Sequence, residues 1–289
     1  MGDNARGAIY MCLSMAAFTL NDSFMKAVTE HLPTFEAAAL RGPPVILALA
    51  LIAWQRGTLK LTMARGDAVT VTLRCLGEIL STATFLYALK HMPLANISAV
   101  MQSLPLAVTL AAALFLGEPI GWRRAGAILV GFAGVMLIIR PGTAGFDRWS
   151  LLALGAVASV VLRDIASRRV SRAVPSIVVA VYSATAVTLF SALAAPYAGG
   201  WPPVSGADVL ALLAASACLV VGYIAAVSAM RVGEVGFVAP FRYTSLVWAI
   251  ALGWLVFDQW PGPLTLVGAA VVIATGLFTL FRERRVRRA

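Results

Sequence analysis

The sequence predicts an all-α integral membrane protein with ten transmembrane helices, and three observations lead to that prediction. Of the 289 residues, 60% are hydrophobic and 12% are charged, whereas a soluble domain is usually about 45–50% apolar and about 25% charged. Ten apolar segments approach or exceed the roughly 20 residues that a bilayer-spanning helix needs. Lys and Arg are concentrated in alternate connecting segments. This composition excludes an ordinary soluble enzyme, a disordered chain and a secreted disulfide scaffold.

The ten predicted spans follow one another through short connections rich in Pro, Gly and polar residues, which are typical of turns. They cover residues 6–27, 34–54, 68–89, 94–116, 123–140, 149–168, 175–195, 208–230, 235–257 and 263–281. Together they occupy most of the chain and leave no room for a soluble domain. Because the first span has no small-residue cleavage site and another span follows at once, we expect a helix and not a cleaved signal peptide.

The distribution of basic residues predicts the orientation. With the N-terminus on the cytoplasmic side, the cytoplasmic segments hold 15 Lys and Arg residues, the opposite segments hold four, and four more lie within spans. Short cytoplasmic loops are enriched in Lys and Arg, so both termini are predicted to be cytoplasmic. The same rule accounts for the net charge of +10 without nucleic acid as a partner.

The two halves of the chain resemble each other when one is shifted by about 142 residues. Under this shift Asp22 falls on Asp164 and Lys26 on Arg168, so an acid and a base four residues apart recur. Five spans per repeat is an odd number, so two tandem copies must insert with opposite orientation, as in many secondary transporters. We therefore predict one membrane domain made of two inverted five-helix repeats. The repeats cover residues 1–141 and 142–289.

Span three carries a charged pair near the middle of the membrane. Arg74 and Glu78 are four residues apart and therefore share one helix face. A charge at the centre of a span costs about 2.5–3.5 kcal/mol on insertion scales, so it needs a partner or a function. Two interpretations remain open: Glu78 is a cavity carboxylate that binds a proton or a substrate amine, or the pair is self-neutralising and only packs the bundle.

Spans four and nine each contain a proline near polar residues, and proline leaves nearby backbone groups unpaired. The residues at matching depths are Met101 and Gln102 in span four and Arg242 and Tyr243 in span nine. We predict that these residues face a shared cavity, in which Arg242 attracts a substrate carboxylate. The alternative is that Arg242 extends to the inner interface or pairs with Glu78.

The remaining candidates are weaker. Tyr223 and Trp248 are predicted cavity walls, with a lipid-facing position as the alternative. Gating or structural pairs are predicted between residues four apart near helix ends, Asp22 with Lys26 and Asp164 with Arg168. The sequence contains no nucleophile–base set, metal-ligand spacing or phosphate-binding glycine loop, so we expect no catalysis, no cofactor and no metal. The three cysteines lie in apolar runs and are expected to behave as small hydrophobic residues.

Several of these features together resemble the drug/metabolite transporter superfamily, in particular its EamA-type members. They are the ten spans, the two five-helix repeats, Arg41 in span two, the Leu116-Gly117-Glu118-Pro119 end of span four and the glycines from Gly126 to Gly134 in span five. The chain is most similar to the bacterial amino-acid exporters of the YddG type. The second half departs from the pattern, because Asp258-Gln259 stands where the first half has Gly-Glu.

The resemblance implies a secondary transporter of the bacterial inner membrane that exports amino acids, including aromatic or neutral ones, and related metabolites by alternating access. The expected partners are a small-molecule substrate and the lipid bilayer, in a monomer or a homodimer. One alternative is efflux of hydrophobic cations, although that requires an unpaired central carboxylate and Glu78 has Arg74 beside it. A membrane-embedded enzyme is a second alternative. The exact substrate and the coupling to an ion gradient stay open.

Overall fold

The computed structural model describes residues 2–58, 62–117, 121–143, 147–171 and 173–288, and these residues form helices and short connections without a β-strand. Side chains are described for all of them except 235, 236 and 282–288. The helices are α1 (Asp3–His31), α2 (Thr34–Gln55), α3 (Arg65–His91), α4 (Leu94–Met101), α5 (Leu104–Leu116), α6 (Trp122–Ile139), α7 (Trp149–Arg169), α8 (Ser176–Ala194), α9 (Gly206–Val232), α10 (Val235–Val238), α11 (Thr244–Phe257) and α12 (Pro263–Arg288).

Each of the ten predicted spans corresponds to helical structure. Within the described ranges, nine helical segments are long and apolar enough to cross a membrane, which confirms an integral membrane protein. α1 has the length, with 29 residues, but not the composition. Its buried residues include Ser14, Thr19, Asn21 and Lys26, so its polar groups are directed into the protein.

Spans four and nine are each broken in the middle. α4 ends at Met101, and α5 begins at Leu104 with Pro105 in its first turn. In span nine, a 3₁₀ turn over Ala239–Tyr243 separates α10 from α11 and carries Pro240 near its start. Proline suits the first turn of a helix because the N–H that it lacks would have no partner there. Each proline therefore marks the start of a new helical segment.

The most extensive packing joins helices from opposite halves of the chain. α1 packs against α9, α3 against α7, α2 against α8, α6 against α12 and α4 against α11. Counted within each half, span one of either half contacts span three of the other, and spans two, four and five contact their own counterparts. A two-fold relation between the halves would produce this pattern.

Small residues allow some of these helices to approach closely. On α6, a Cβ atom added to Gly134 would lie 2.9 Å from the carbonyl oxygen of Gly268 on α12. Such contacts are typical of membrane helices, where close van der Waals packing drives association.

The two ends of the bundle differ in how tightly they are packed. Where α1 and α3 end, α1, α2 and α3 pack against one another, and Met25, Val28, Leu89 and Leu94 are almost completely buried. We call this the closed end. Where α7 and α9 end, the corresponding helices α7, α8 and α9 pack against one another far less in the described part of the chain. We call this the open end.

Candidate functional site

A cavity of about 540 Å³ lies between the two halves of the chain, lined by α2, α3, α8 and α9. Its volume is in the range of about 300–1,000 Å³ that is usual for small-molecule sites. Small aliphatic side chains cover much of its wall. Polar side chains converge on it as well, namely Arg41, Arg74, Glu78, Ser183, Thr188 and Tyr223. Glu78 and Tyr223, two predicted site residues, therefore lie in one cavity.

Glu78 lies between two guanidinium groups. Its Oε2 is 3.7 Å from Nη2 of Arg74, and its Oε1 is 3.4 Å from Nη1 of Arg163 on α7. Gly77 permits this approach, since a Cβ atom there would lie 2.8 Å from the backbone nitrogen of Arg163. The sequence indicates the partner on the same helix. It does not indicate Arg163, because that contact depends on the packing of α3 against α7.

Arg74 is held through all three of its side-chain nitrogens. Nε donates to Oγ of Ser167 at 2.9 Å, Nη1 donates to Oγ of Ser183, and Nη2 pairs with Glu78. Arg74 was predicted as half of a structural pair, yet it also forms part of the cavity wall.

Arg41 is the cavity guanidinium with the fewest hydrogen bonds in the described residues. Its Nη1 donates to Oδ1 of Asn21 at 3.0 Å, and Nδ2 of Asn21 donates to Oδ1 of Asp22 at 2.9 Å. An arginine side chain has five N–H donors, so most of those of Arg41 remain available to a ligand. The sequence singled out Arg41 only as part of a family pattern; a lone Arg inside an apolar span was the signal for a site residue.

Met101, Gln102 and Tyr243 lie away from this cavity wall, at the place where the two broken spans meet. Nε2 of Gln102 donates to Oγ of Ser245 at 2.8 Å and to the backbone carbonyl of Tyr243 at 3.4 Å. Tyr243 is buried, and Met101 packs against the main hydrophobic core. The matching depths predicted from the sequence therefore produce direct contact between the two spans.

Arg242 and Trp248 also lie outside the cavity wall. Arg242 is exposed towards the open end, and the strongest charge that acts on its guanidinium is the carboxylate of Asp164. Asp164 itself accepts a hydrogen bond from Arg163, with 2.8 Å between Nη2 and Oδ1. Trp248 is 42% exposed on α11.

The predicted pairs near helix ends form different contacts. Nζ of Lys26 donates to the carbonyl oxygens of Leu89 and Met92, each at 2.7 Å, and so joins α1 to the end of α3 instead of pairing with Asp22. In the second half, Asp164 is paired with its neighbour Arg163. Arg168 is exposed at the open end.

The remaining sequence features add no chemistry to the site. Cys12, Cys75 and Cys218 are unpaired thiols. Among the residues that the structure describes, His, Cys, Asp and Glu form no group that could hold a metal ion. Glu118 and Pro119 of the span-four pattern lie outside the described residues.

Comparison with known proteins assigns the chain to a family. The model of the EamA-like transporter family matches twice, over residues 5–140 and 147–281. A solved crystal structure with a TM-score of 0.65 and 22% identity covers 96% of this chain and 98% of its own, which shows the same fold.

Three curated relatives have different substrates in their names. The S-adenosylmethionine uptake transporter of Rickettsia felis is 27% identical over 96% of this chain and 94% of its own. The riboflavin transporter of Vibrio cholerae is 30% identical over 75% and 73%. The pseudopaline exporter CntI of Pseudomonas aeruginosa is 24% identical over 92% and 93%. These relatives do not single out amino-acid exporters of the YddG type, and they point to transport rather than catalysis. The chain therefore belongs to the EamA-like transporter family and is a multi-pass membrane transporter.

Proposed function

We propose that this protein is a secondary transporter of the bacterial inner membrane that exports amino acids and similar small zwitterions by alternating access. The observation that carries the proposal is the cavity between the two halves, because Arg41 and Glu78 both line it. An α-amino acid needs donors for its carboxylate, an acceptor for its ammonium group and a surface for its side chain. The cavity offers all three.

The carboxylate site is Arg41 in this proposal. Arg74 already uses each of its nitrogens on protein groups, whereas Arg41 has one hydrogen bond to a neutral amide in the described residues. An arginine can bind a carboxylate through two parallel N–H···O bonds, which fixes its orientation as well as attracting it. Arg242, the residue favoured from the sequence, is exposed at the open end, outside the cavity wall.

The ammonium group of the substrate is assigned to Glu78. Oε2 of Glu78 is buried and receives no hydrogen bond from the described residues, so it keeps acceptor capacity although two arginines flank the carboxylate. Tyr223 and the aliphatic wall then contact the substrate side chain. The ring of Tyr223 is supported by Phe18 in an edge-to-face contact, with 5.5 Å between ring centroids. A neutral or aromatic side chain suits this surface.

Alternating access is supported by the difference between the two ends and by the pairing of the halves. The family model matches each half separately, and the helix contacts follow the pattern of a two-fold relation. With the orientation that the Lys and Arg distribution favours, the open end faces the cytoplasm. The sequence has no ATP-binding motif, so a substrate or ion gradient supplies the energy.

The relatives support the substrate class in part. S-adenosylmethionine, named for several of them, carries an α-amino and an α-carboxylate group. The names include both uptake and export, so the outward direction rests on the resemblance to exporters.

The orientation can be tested by labelling intact cells with a membrane-impermeant thiol reagent, in a background without the native cysteines. Ser205→Cys, in the connection before α9, should be labelled from outside, because this connection is predicted to be extracytoplasmic. Thr58→Cys, in the connection after α2, should be protected until the membrane is opened. Labelling at position 58 in intact cells would reverse the proposed orientation.

Transport itself can be tested with purified protein in proteoliposomes by counterflow of radiolabelled amino acids. Arg41→Lys should lower amino-acid counterflow about tenfold or more, because lysine cannot bind a carboxylate through a planar pair of donors. The matched control is Arg56→Lys, at the exposed end of the same helix, which should behave like the unaltered protein. Counterflow of hydrophobic cations without any amino acid would contradict the proposed substrate class.

A further inference from the structure

Lys26 is the most completely buried basic side chain at the closed end of the bundle. It is 4% exposed, its Nζ donates to the carbonyl oxygens of Leu89 and Met92, and it lies 5.6 Å from the ring centroid of Phe257 on α11. The last carbonyl groups of a helix have no partner within that helix. Lys26 therefore satisfies two acceptors at the end of α3 and fastens α1 to it, beside α11.

The open end contains the same parts. The shift of about 142 residues places Arg168, at the end of α7, on Lys26, and a shift of 141 places Met230 and Gly233, at the end of α9, on Leu89 and Met92. In both helices the residue after the end is extended. Met92 has φ −106° and ψ 152°, and Gly233 has φ −102° and ψ 158°. Both ends therefore present the same arrangement of backbone acceptors near a basic residue.

Only the closed end is fastened in this conformation. Lys26 is buried, whereas Arg168 is exposed. α1 packs against α3, but α7 packs far less against α9 in the described residues. The two equivalent basic residues are thus in opposite situations within one structure.

We propose that Lys26 and Arg168 are alternating latches of the transport cycle. Lys26 holds the closed end shut in the present conformation. In the opposite conformation, Arg168 donates to the carbonyl oxygens of Met230 and Gly233 and holds the other end shut. This proposal rests on the proposed function, because it requires alternating access.

The test measures which side of the membrane reaches the protein interior, without any substrate. Cys12, Cys75 and Cys218 are replaced, and single cysteines are introduced at Ala153, which is completely buried at the closed end, or at Ala184 in the cavity wall. An impermeant thiol reagent is applied to intact cells and to inside-out vesicles. Each variant is first checked for monodisperse elution in detergent.

Lys26→Met keeps the apolar stem but removes the donor, so two carbonyl groups lose their partner. We expect labelling at position 153 from outside to rise about fivefold or more, since a lost charge-assisted bond changes a two-state population by that order. Labelling at position 184 in inside-out vesicles should fall. Lys90→Met, which alters another lysine at the same end of α3, is the matched control and should change neither.

The double variant is the sharper test of the alternation. Adding Arg168→Met to Lys26→Met should bring labelling at position 153 back towards the starting value, because it removes the latch of the opposite conformation. The double variant labelling as strongly as Lys26→Met would overturn the role of Arg168, and unchanged labelling in a folded Lys26→Met protein would overturn that of Lys26. Should Lys26→Met not fold, Arg168→Met alone must raise labelling at position 184 from the open side and lower it at position 153, and no change would overturn the proposal.

These results are separable from the substrate class. If the labelling shifts as expected while no amino acid is transported, the latches stand and the proposed substrate class fails. If position 184 is reached from one side only in every variant, alternating access fails, and the latches with it.

Discussion

The two walls of the central cavity come from opposite halves of the chain, and they differ in charge at positions that the sequence repeat makes equivalent. Under the shift of 142 residues, Arg41 of the first half falls on Ser183, and Arg74 falls on Ser216. Each equivalent pair is in contact: Arg74 donates to the hydroxyl of Ser183, and Ser216 donates to the backbone carbonyl of Arg41 at 3.0 Å. The contact is thus kept on both sides, whereas the charge is present on one.

This difference separates what the motion needs from what binding needs. Two interconvertible conformations require halves with similar backbones and similar helix contacts. A binding site requires a polar end and an apolar end, so its side chains need not be symmetric. With Arg41 and Glu78 on the first wall and Val187 and Leu219 on the second, a zwitterion would place its charged head against the first half and its side chain against the second.

The largest effect is expected when the first wall loses its most tightly held charge. Arg74→Ala would leave Ser167 and Ser183 without their donor and remove one of the two cations beside Glu78. Breaking a buried ion pair from one side costs about 3–5 kcal/mol, so the melting temperature in detergent should fall by several degrees, and transport should be lost.

The double variant Arg74→Ala with Glu78→Ala distinguishes a charge effect from a packing effect. Removing both partners leaves no uncompensated charge, because Arg163 still pairs with Asp164. The double variant should therefore melt above Arg74→Ala alone. A double variant that loses the sum of the two single losses would show that these side chains stabilise the bundle independently.

The sequence contained the spans and part of the site, because both depend on local patterns. Hydropathy and turn residues placed the helices, and the rarity of intramembrane charge picked out Glu78. The partners of these residues were not predictable in the same way. That Arg163 reaches Glu78 depends on the packing of α3 against α7, and that Lys26 reaches two carbonyl groups depends on how α1 crosses the end of α3. Neither crossing is encoded in a local periodicity.

The broken spans show the limit in another form. The sequence placed Gln102 and Tyr243 at equivalent depths, and the structure has them in contact through the backbone carbonyl of Tyr243. Matching depth was not enough to tell a shared cavity from a shared interface, because that depends on the distance between two helices. Arg41 was recoverable only from its rarity as a lone charge in an apolar span.

A smaller effect is expected when the second wall loses one of its two serines. Ser183→Ala removes the acceptor of a guanidinium, and Ser216→Ala removes the donor to a neutral carbonyl. Hydrogen bonds to charged groups contribute about 1.5–3 kcal/mol, against about 0.5–1.5 kcal/mol for neutral ones. Ser183→Ala should therefore lower both the melting temperature and the transport rate more than Ser216→Ala does. Equal losses in thermal melting and counterflow would mean that the asymmetry of the walls has no energetic weight.

The smallest effect is expected outside both walls, at Arg242. Its side chain is exposed at the open end near Asp164, where water and salt screen charges within about 8 Å at physiological ionic strength. A zwitterionic substrate has no net charge, so Arg242→Ala should change amino-acid counterflow by about twofold at most, and less in high salt. An amino-acid amide carries a net positive charge, and removing Arg242 should ease its entry slightly. Arg41→Lys, measured beside it, should instead reduce transport of the acid selectively, because only the acid has a carboxylate for the guanidinium to bind. A tenfold, acid-selective loss in Arg242→Ala would move the carboxylate site from the cavity wall to the open end, and the charge difference between the two walls would then be structural.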